Sequence, residues 1–182
     1  MRGAKVSTIT VGTYLESSKQ AVALAESEPD VWATVGLHPT DTDEVFDEKE
    51  YRKLSEHKKV VGIGECGLDY FWEKDEQKRK TQRENFARQV ELSFLVNKPL
   101  MIHSRPSQGS MDAYEDVLNI LEKDFASQKE KLRGNVHFFV GDESIAGRFL
   151  KLGFTMSFTG VVTFTNDYNA VLRYLPLSSI LS

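Results

Sequence analysis

The sequence predicts an α/β fold: an all-parallel sheet with helical crossovers, closed as a (β/α)8 barrel. Three observations predict it. Short apolar, β-branched runs alternate along the whole chain with longer stretches of helical spacing. The repeat is one βα unit after another, which a parallel sheet with right-handed crossovers accommodates. The first strand leads into GTYLES rather than G-x-G-x-x-G, and no Walker sequence occurs. An open, nucleotide-binding sheet therefore loses its main support, and the barrel is preferred.

Taken in order, VSTITVG (6–12) is the first strand and LESSKQAVALAESE (15–28) the first helix. VWATVG (31–36) and EKEYRKLSEHK (48–58) form the second unit, and VVGIGE (60–65) is the third strand. The helix QRENFARQVELSFLVN (82–97) carries Phe86, Val90 and Leu92 or Phe94 at turn spacing, with Pro99 just beyond as a stop. PLMIH (99–103) precedes MDAYEDVLNILEKDFAS (111–127), and NVHFFVG (135–141) precedes ESIAGRFLKLG (143–153). FTMSFTG (154–160), NDYNAVLRYL (166–175) and a last strand, SSILS (178–182), complete the series. No linker rich in Pro, Gly or Ser divides it, so residues 1–182 read as a single domain. A whole barrel typically takes about 250 residues and seldom fewer than about 200. The expectation is a barrel short of roughly one βα unit and a final helix.

Composition narrows the function. Lys plus Arg number 23 against 27 Asp plus Glu, a net charge of −4, which excludes a protein that coats polyanions. With 40% apolar and 27% charged residues the chain can bury a core. No window approaches the roughly 18 apolar residues of a membrane span. The first twenty residues lack a signal peptide's apolar region and cleavage site, so the expected location is the cytoplasm, with no membrane and no obligate protein partner. The single cysteine, Cys66, makes neither an internal disulfide nor a multi-thiolate site, so a metal needs His and carboxylate ligands. The charged runs KDEQKRK (74–80) and KEKLR (129–133) read as solvated helix faces, and His57 as solvated or interacting with a helix end.

Such ligands fall where a barrel converges. Glu65 ends the third strand, His103 ends the fourth, His137 lies in the fifth, and His38 follows the second. In a parallel barrel all strand C-termini open on one face, so these side chains meet in one pocket. One Glu and two His suit Zn²⁺ or Mn²⁺ better than an all-oxygen Mg²⁺ site. Taken singly, His103 and His137 also read as half-buried structural histidines. Glu65 is harder to dismiss, because a carboxylate closing an apolar strand must be paired or metal-bound.

Four segments, VGLHPTD (35–41), VVGIGECGLDYFW (60–72), QRENFARQVELSFLVNKPLMIHSR (82–105) and GNVHFF through LGFTMSFTGVVTF (134–164), together resemble the TatD family of metal-dependent deoxyribonucleases, within the amidohydrolase-like barrels. They span about 130 residues in the right order, which makes the match far more specific than any one motif. The resemblance implies a metal-dependent hydrolase of phosphodiester bonds, a DNase acting from a strand end, with DNA as substrate and two divalent ions (Zn, Mn or Mg) in the intact site. It implies that Glu65 bridges the ions and contributes to catalysis, that His103 and His137 hold one of them, that His38 and Arg105 face the substrate, and that Asp69 orients a ligand or bound water. The family's H-x-H motif of the first barrel strand and its E-T-D motif of the last do not occur in this sequence. With ligands for one ion only, the expectation is weak binding of one divalent ion and little or no turnover. Two other readings stay open: hydrolysis of a small ester or amide metabolite, and a non-catalytic barrel fragment associating through its sheet edges.

Overall fold

The computed structural model describes residues 6–41 and 43–181. Strands β1 (Thr8–Val11), β2 (Val31–Val35), β3 (Val60–Asp69), β4 (Leu100–Arg105), β5 (Gly134–His137), β6 (Phe154–Ser157) and β7 (Ile180–Leu181) form one sheet, in chain order, with every neighbouring pair parallel. The crossovers carry α1 (Leu15–Ser27), α2 (Glu48–Ser55), α3 (Glu76–Leu95), α4 (Asp112–Asn119), α5 (Glu143–Lys151) and α6 (Asn169–Tyr174). A doubly wound sheet reverses its strand order at a switch point; this one never does, which is the winding of a β/α barrel. The sheet is curled, since Ile9 of β1 and Leu181 of β7 line the same hollow of about 420 Å³, together with Thr34, Met101, Asn135 and Thr155 of the strands between. Residues 1–5 and Ser182, which the leader and last-strand readings included, lie outside the described residues. Among the described residues no helix is long and apolar enough to cross a membrane.

Alternation along the strands sorts the two faces. Leu100 and Ile102 of β4, Val136 of β5, and Phe154 and Met156 of β6 are buried beneath the helix layer. Phe86, Val90, Val117, Ile145 and Phe149 meet them from α3, α4 and α5. The intervening residues Met101, His103, Asn135, His137, Thr155 and Ser157 face the concave side and are only half buried. That side is largely polar: Asn135 Nδ2 donates to Thr155 Oγ1 (3.1 Å) and Ser157 Oγ to Asn135 Oδ1 (2.9 Å).

Differences from the sequence expectation are local. Helix α3 starts six residues early, at Glu76, because Asp75 caps it by accepting from the Gln77 N–H (2.8 Å), a signal that the all-polar first turns hide from hydrophobic periodicity. The helix expected over 111–127 is regular only through Asn119 and continues as a π turn, Ile120–Asp124, and a 3-10 stretch, Ala126–Lys131. There Ile120, Leu121 and Phe125 are all buried, and Phe125 packs edge-on against Phe94 at 5.5 Å. Strand β5 stops at His137 because Phe138 takes a positive φ of 50°. His57 lies beyond α2 and pairs with Glu26 at 2.9 Å.

Candidate metal centre

Strand β3 runs four residues past Glu65, and its irregularity sets the geometry. Ile63 pairs with Leu100 but Cys66 with Ile102, so three steps on β3 match two on β4. Such a bulge re-aims side chains. Ile63 and Cys66 both go under the helices, fully buried, and Glu65 turns to the concave side. Two glycines permit it: a Cβ at Gly64 would stand 2.4 Å from the Met101 carbonyl oxygen, and one at Gly67 2.0 Å from that of His103.

Beyond the bulge the register is Gly67 opposite His103 and Asp69 opposite Arg105. Glu65 and Asp69 therefore stand two residues either side of a glycine that offers no side chain, and His103 occupies the gap, reaching both diagonal neighbours. Its Nδ1 lies 3.0 Å from Glu65 Oε1 and its Nε2 3.0 Å from Asp69 Oδ2. Burial disfavours the charged ring, but these two carboxylates outweigh it and push the His103 pKa up to about 9. Burial likewise opposes ionisation of Glu65 and Asp69, yet the His103 hydrogen bonds and charge hold both below their ordinary values.

His38 reaches the same point from the loop after β2. Its Nε2 is 4.0 Å from Glu65 Oε1, and its ring meets that of His103 edge-on at 4.5 Å. Burial, and then the neighbouring His103, depress its pKa to about 4, so the ring is neutral. Its Nδ1 accepts from the Thr40 N–H (3.3 Å) and lies 2.7 Å from Thr40 Oγ1, which holds the ring with Nε2 toward Glu65. One donor atom from each of His38, Glu65 and His103 lies within 4.8 Å of the others. Donors around a tetrahedral ion with bonds of ~2.1 Å lie about 3.4 Å apart, so small side-chain movements bring this set onto one cation. A neutral imidazole, a carboxylate and a second imidazole backed by another carboxylate are the donor chemistry such an ion requires.

The remaining sequence-selected residues lie around this group. His137 ends β5, in register with His103, with Nδ1 3.3 Å from Ser157 Oγ, and its ring lies outside the three-residue group. Arg105 is exposed at the end of β4, with its guanidinium carbon 4.0 Å from the centre of the Phe71 ring. Two residues that sequence reasoning passed over fix the geometry from α3. Gln82 clamps Asp69, accepting from its N–H (2.9 Å) and donating to its C=O (3.1 Å), and Gln89 does the same for Leu37 beside His38 (2.8 and 3.0 Å). Both amides are buried. Seven positions apart on one helix face, they act as ladder partners for strand-end backbone that has run out of sheet.

A parallel barrel carrying a His/Glu/His donor group at the C-terminal ends of its strands is a metal-hydrolase type of centre. Comparison with known proteins makes the assignment specific: the profile of the family described as TatD related DNase matches residues 1–182, and the chain belongs to that family. It is 37% identical to the uncharacterized metal-dependent hydrolase YabD of Bacillus subtilis over 160 residues, 87% of this chain and 58% of that one. It is 33% identical to the 3'-5' ssDNA/RNA exonuclease TatD of Escherichia fergusonii, over 85% of this chain and 56% of that one. The crystal structure of YJJV, a TatD homolog from Escherichia coli, superposes with a TM-score of 0.81 at 26% identity, covering 96% of this chain and 65% of its own. The chain thus spans about three fifths of the length of these relatives.

Proposed function

We propose that this chain carries part of a centre for metal-dependent hydrolysis of phosphodiester bonds in nucleic acid, cut from a strand end. The observation that carries the reading is the convergence of Glu65, His103 and His38 on the concave side of the sheet, with Asp69 fixing the His103 ring. Their neutral and anionic donors suit Zn²⁺ or Mn²⁺. A divalent ion held there supplies a lowered pKa for water and polarisation of a phosphoryl oxygen.

The chain's own residues do the rest. Glu65, ionised and buried among imidazoles, offers the carboxylate oxygen nearest both rings. His103, tied to Asp69 at one nitrogen, keeps a fixed ring plane and frees its other nitrogen once its second proton leaves. His38 is neutral at physiological pH and accepts without prior deprotonation. His137 adds a further imidazole on the next strand, and Arg105, two residues beyond His103 on the same face, offers a planar fork to a phosphate. The exonuclease name of the Escherichia fergusonii relative supports a nucleic-acid substrate and a strand-end polarity.

Digestion of a labelled single-stranded oligonucleotide with Mn²⁺, run beside Glu65→Ala, tests the reading. Trace product from this chain, absent in the variant and with chelator, is the expected result. Product that persists undiminished in Glu65→Ala refutes it.

A further inference from the structure

Asp69 ends β3, and the chain continues straight into two aromatic residues. Trp72 is 78% exposed, and its ring meets Phe71 edge-on at 4.6 Å and 90°. The Arg105 guanidinium covers the Phe71 ring. The result is a continuous ledge of indole, phenyl and guanidinium along the rim of the candidate metal centre.

Each end of the ledge borders a recess. On one side Trp72 shares a pocket of about 200 Å³ with Asp69 and Thr40, the partners of His103 and His38. On the other, Phe71 and Arg105 open onto a groove of about 850 Å³ whose walls include Ser107, Met111, Val140 and Tyr168. That groove is built before any ligand arrives: Asp112 accepts from the Ser107 N–H (2.9 Å) and hydroxyl (2.7 Å), while Arg79 donates to the same hydroxyl (2.9 Å). A small ester is too short to reach centre, ledge and groove together. A single strand uses all three, because it repeats phosphate and base along its length. Arg105 stands roughly 6.6 Å from His103, two residues along a strand, a distance suited to the phosphate next to the one at the centre.

Resting on the nuclease reading above, we propose that Trp72, Phe71 and Arg105 form a stacking subsite for single-stranded nucleic acid, which takes a nucleobase on the indole and the neighbouring phosphate on the guanidinium, and directs the strand into the groove beyond Phe71. Stacking on an aromatic ring is tolerant of sequence because every base has a π-face, so the subsite selects single strands without selecting bases.

The test is binding. Trp72 and Trp32 are the two tryptophans, so Trp72 is the only one left in Trp32→Phe. That variant is titrated, in Mn²⁺, with a cleavage-resistant phosphorothioate thymidine decamer, following indole emission. A labelled copy of the decamer reports affinity by anisotropy for the parent, Trp72→Ala and Phe71→Leu. Saturable quenching, affinity about tenfold weaker in Trp72→Ala, and a duplex of equal length that fails to quench are the expected results; tenfold is ~1.4 kcal/mol, inside the range for one stacked base. Trp72 is exposed enough that its removal leaves the fold alone, and Phe71→Leu keeps an apolar side chain under Arg105 as a second check. Decamer binding without quenching, at equal affinity in all three proteins, overturns the ledge and leaves the nuclease reading standing. No decamer binding at all overturns both.

Discussion

Gly67→Ala tests the way the strand pair builds the centre. A Cβ on Gly67 would lie 2.0 Å from the His103 carbonyl oxygen and 3.0 Å from its carbonyl carbon, on backbone at φ +139°. Nothing flexible is in the way to yield, so β3 and β4 must part by roughly 1 Å or more before carbon and oxygen reach ordinary contact. The positive φ costs about 1–3 kcal/mol for a side-chain-bearing residue, and two weakened ladder hydrogen bonds add about 0.5–1.5 kcal/mol each. The sum is about 2–6 kcal/mol. Gly109 supplies the control: its φ is also positive, +73°, but an added Cβ meets nothing within 4 Å. Gly109→Ala should cost only the backbone term, about 1–2 kcal/mol. Urea unfolding at a constant m-value separates the two, and in melting the ladder term of about 1–3 kcal/mol reaches about 2–12 °C for a chain of this size. If Gly67→Ala unfolds at the same urea concentration as Gly109→Ala, the close β3–β4 approach that seats His103 between two carboxylates is wrong.

Other perturbations follow from the same contacts. Asp69→Asn removes the carboxylate that fixes His103 and should weaken Zn²⁺ or Mn²⁺ binding about 10–100-fold, measured by competition with a chromophoric chelator, while the fold persists. Gln89→Leu strands the buried N–H and C=O of Leu37 and should cost about 2–4 kcal/mol in urea unfolding; a loss below about 0.5 kcal/mol contradicts the clamp. In chelator, the folded His103 pKa of about 9 exceeds its unfolded value near 6.5, so its contribution is complete below about pH 6.5 and lost as pH rises through 9. Stability should fall by on the order of 3 kcal/mol across that window, and His103→Gln should flatten the slope. Glu65 and Asp69 act in the opposite sense: their stabilisation is present above about pH 4.5 and is lost as pH falls through their lowered values.

The parallel winding was legible because strand and helix leave different periods in the chain, and each period here recurs unit after unit. Glu65 and His103 were legible for the same reason, as polar residues closing apolar strands. The strand expected over 60–65 stops at Glu65, whereas the strand formed needs Gly64 and Gly67 for its close approach to β4 and continues to Asp69. Gln82 and Gln89 were invisible because a buried amide on a helix face carries no period of its own; their meaning depends on strand ends brought near from 13 and 52 residues away. That His38 shares the pocket was legible from the end of β2, but that its ring falls within 4.8 Å of Glu65 and His103 depends on how the loop turns back, which no spacing encodes. His137 shows the converse: its register with His103 follows from the strands, but whether its ring joins the group depends on the rotation of one side chain toward Ser157.

We propose that Glu65, His103 and His38 together hold one divalent ion. Titration of the chain with Co²⁺, followed by its visible absorption and by proton release, tests it most directly. One saturable ion per chain is expected, with protons released at pH 7, lost in Glu65→Ala and fully retained in His57→Ala, whose imidazole pairs with Glu26 instead. Binding unchanged in Glu65→Ala, or abolished in His57→Ala, would contradict it.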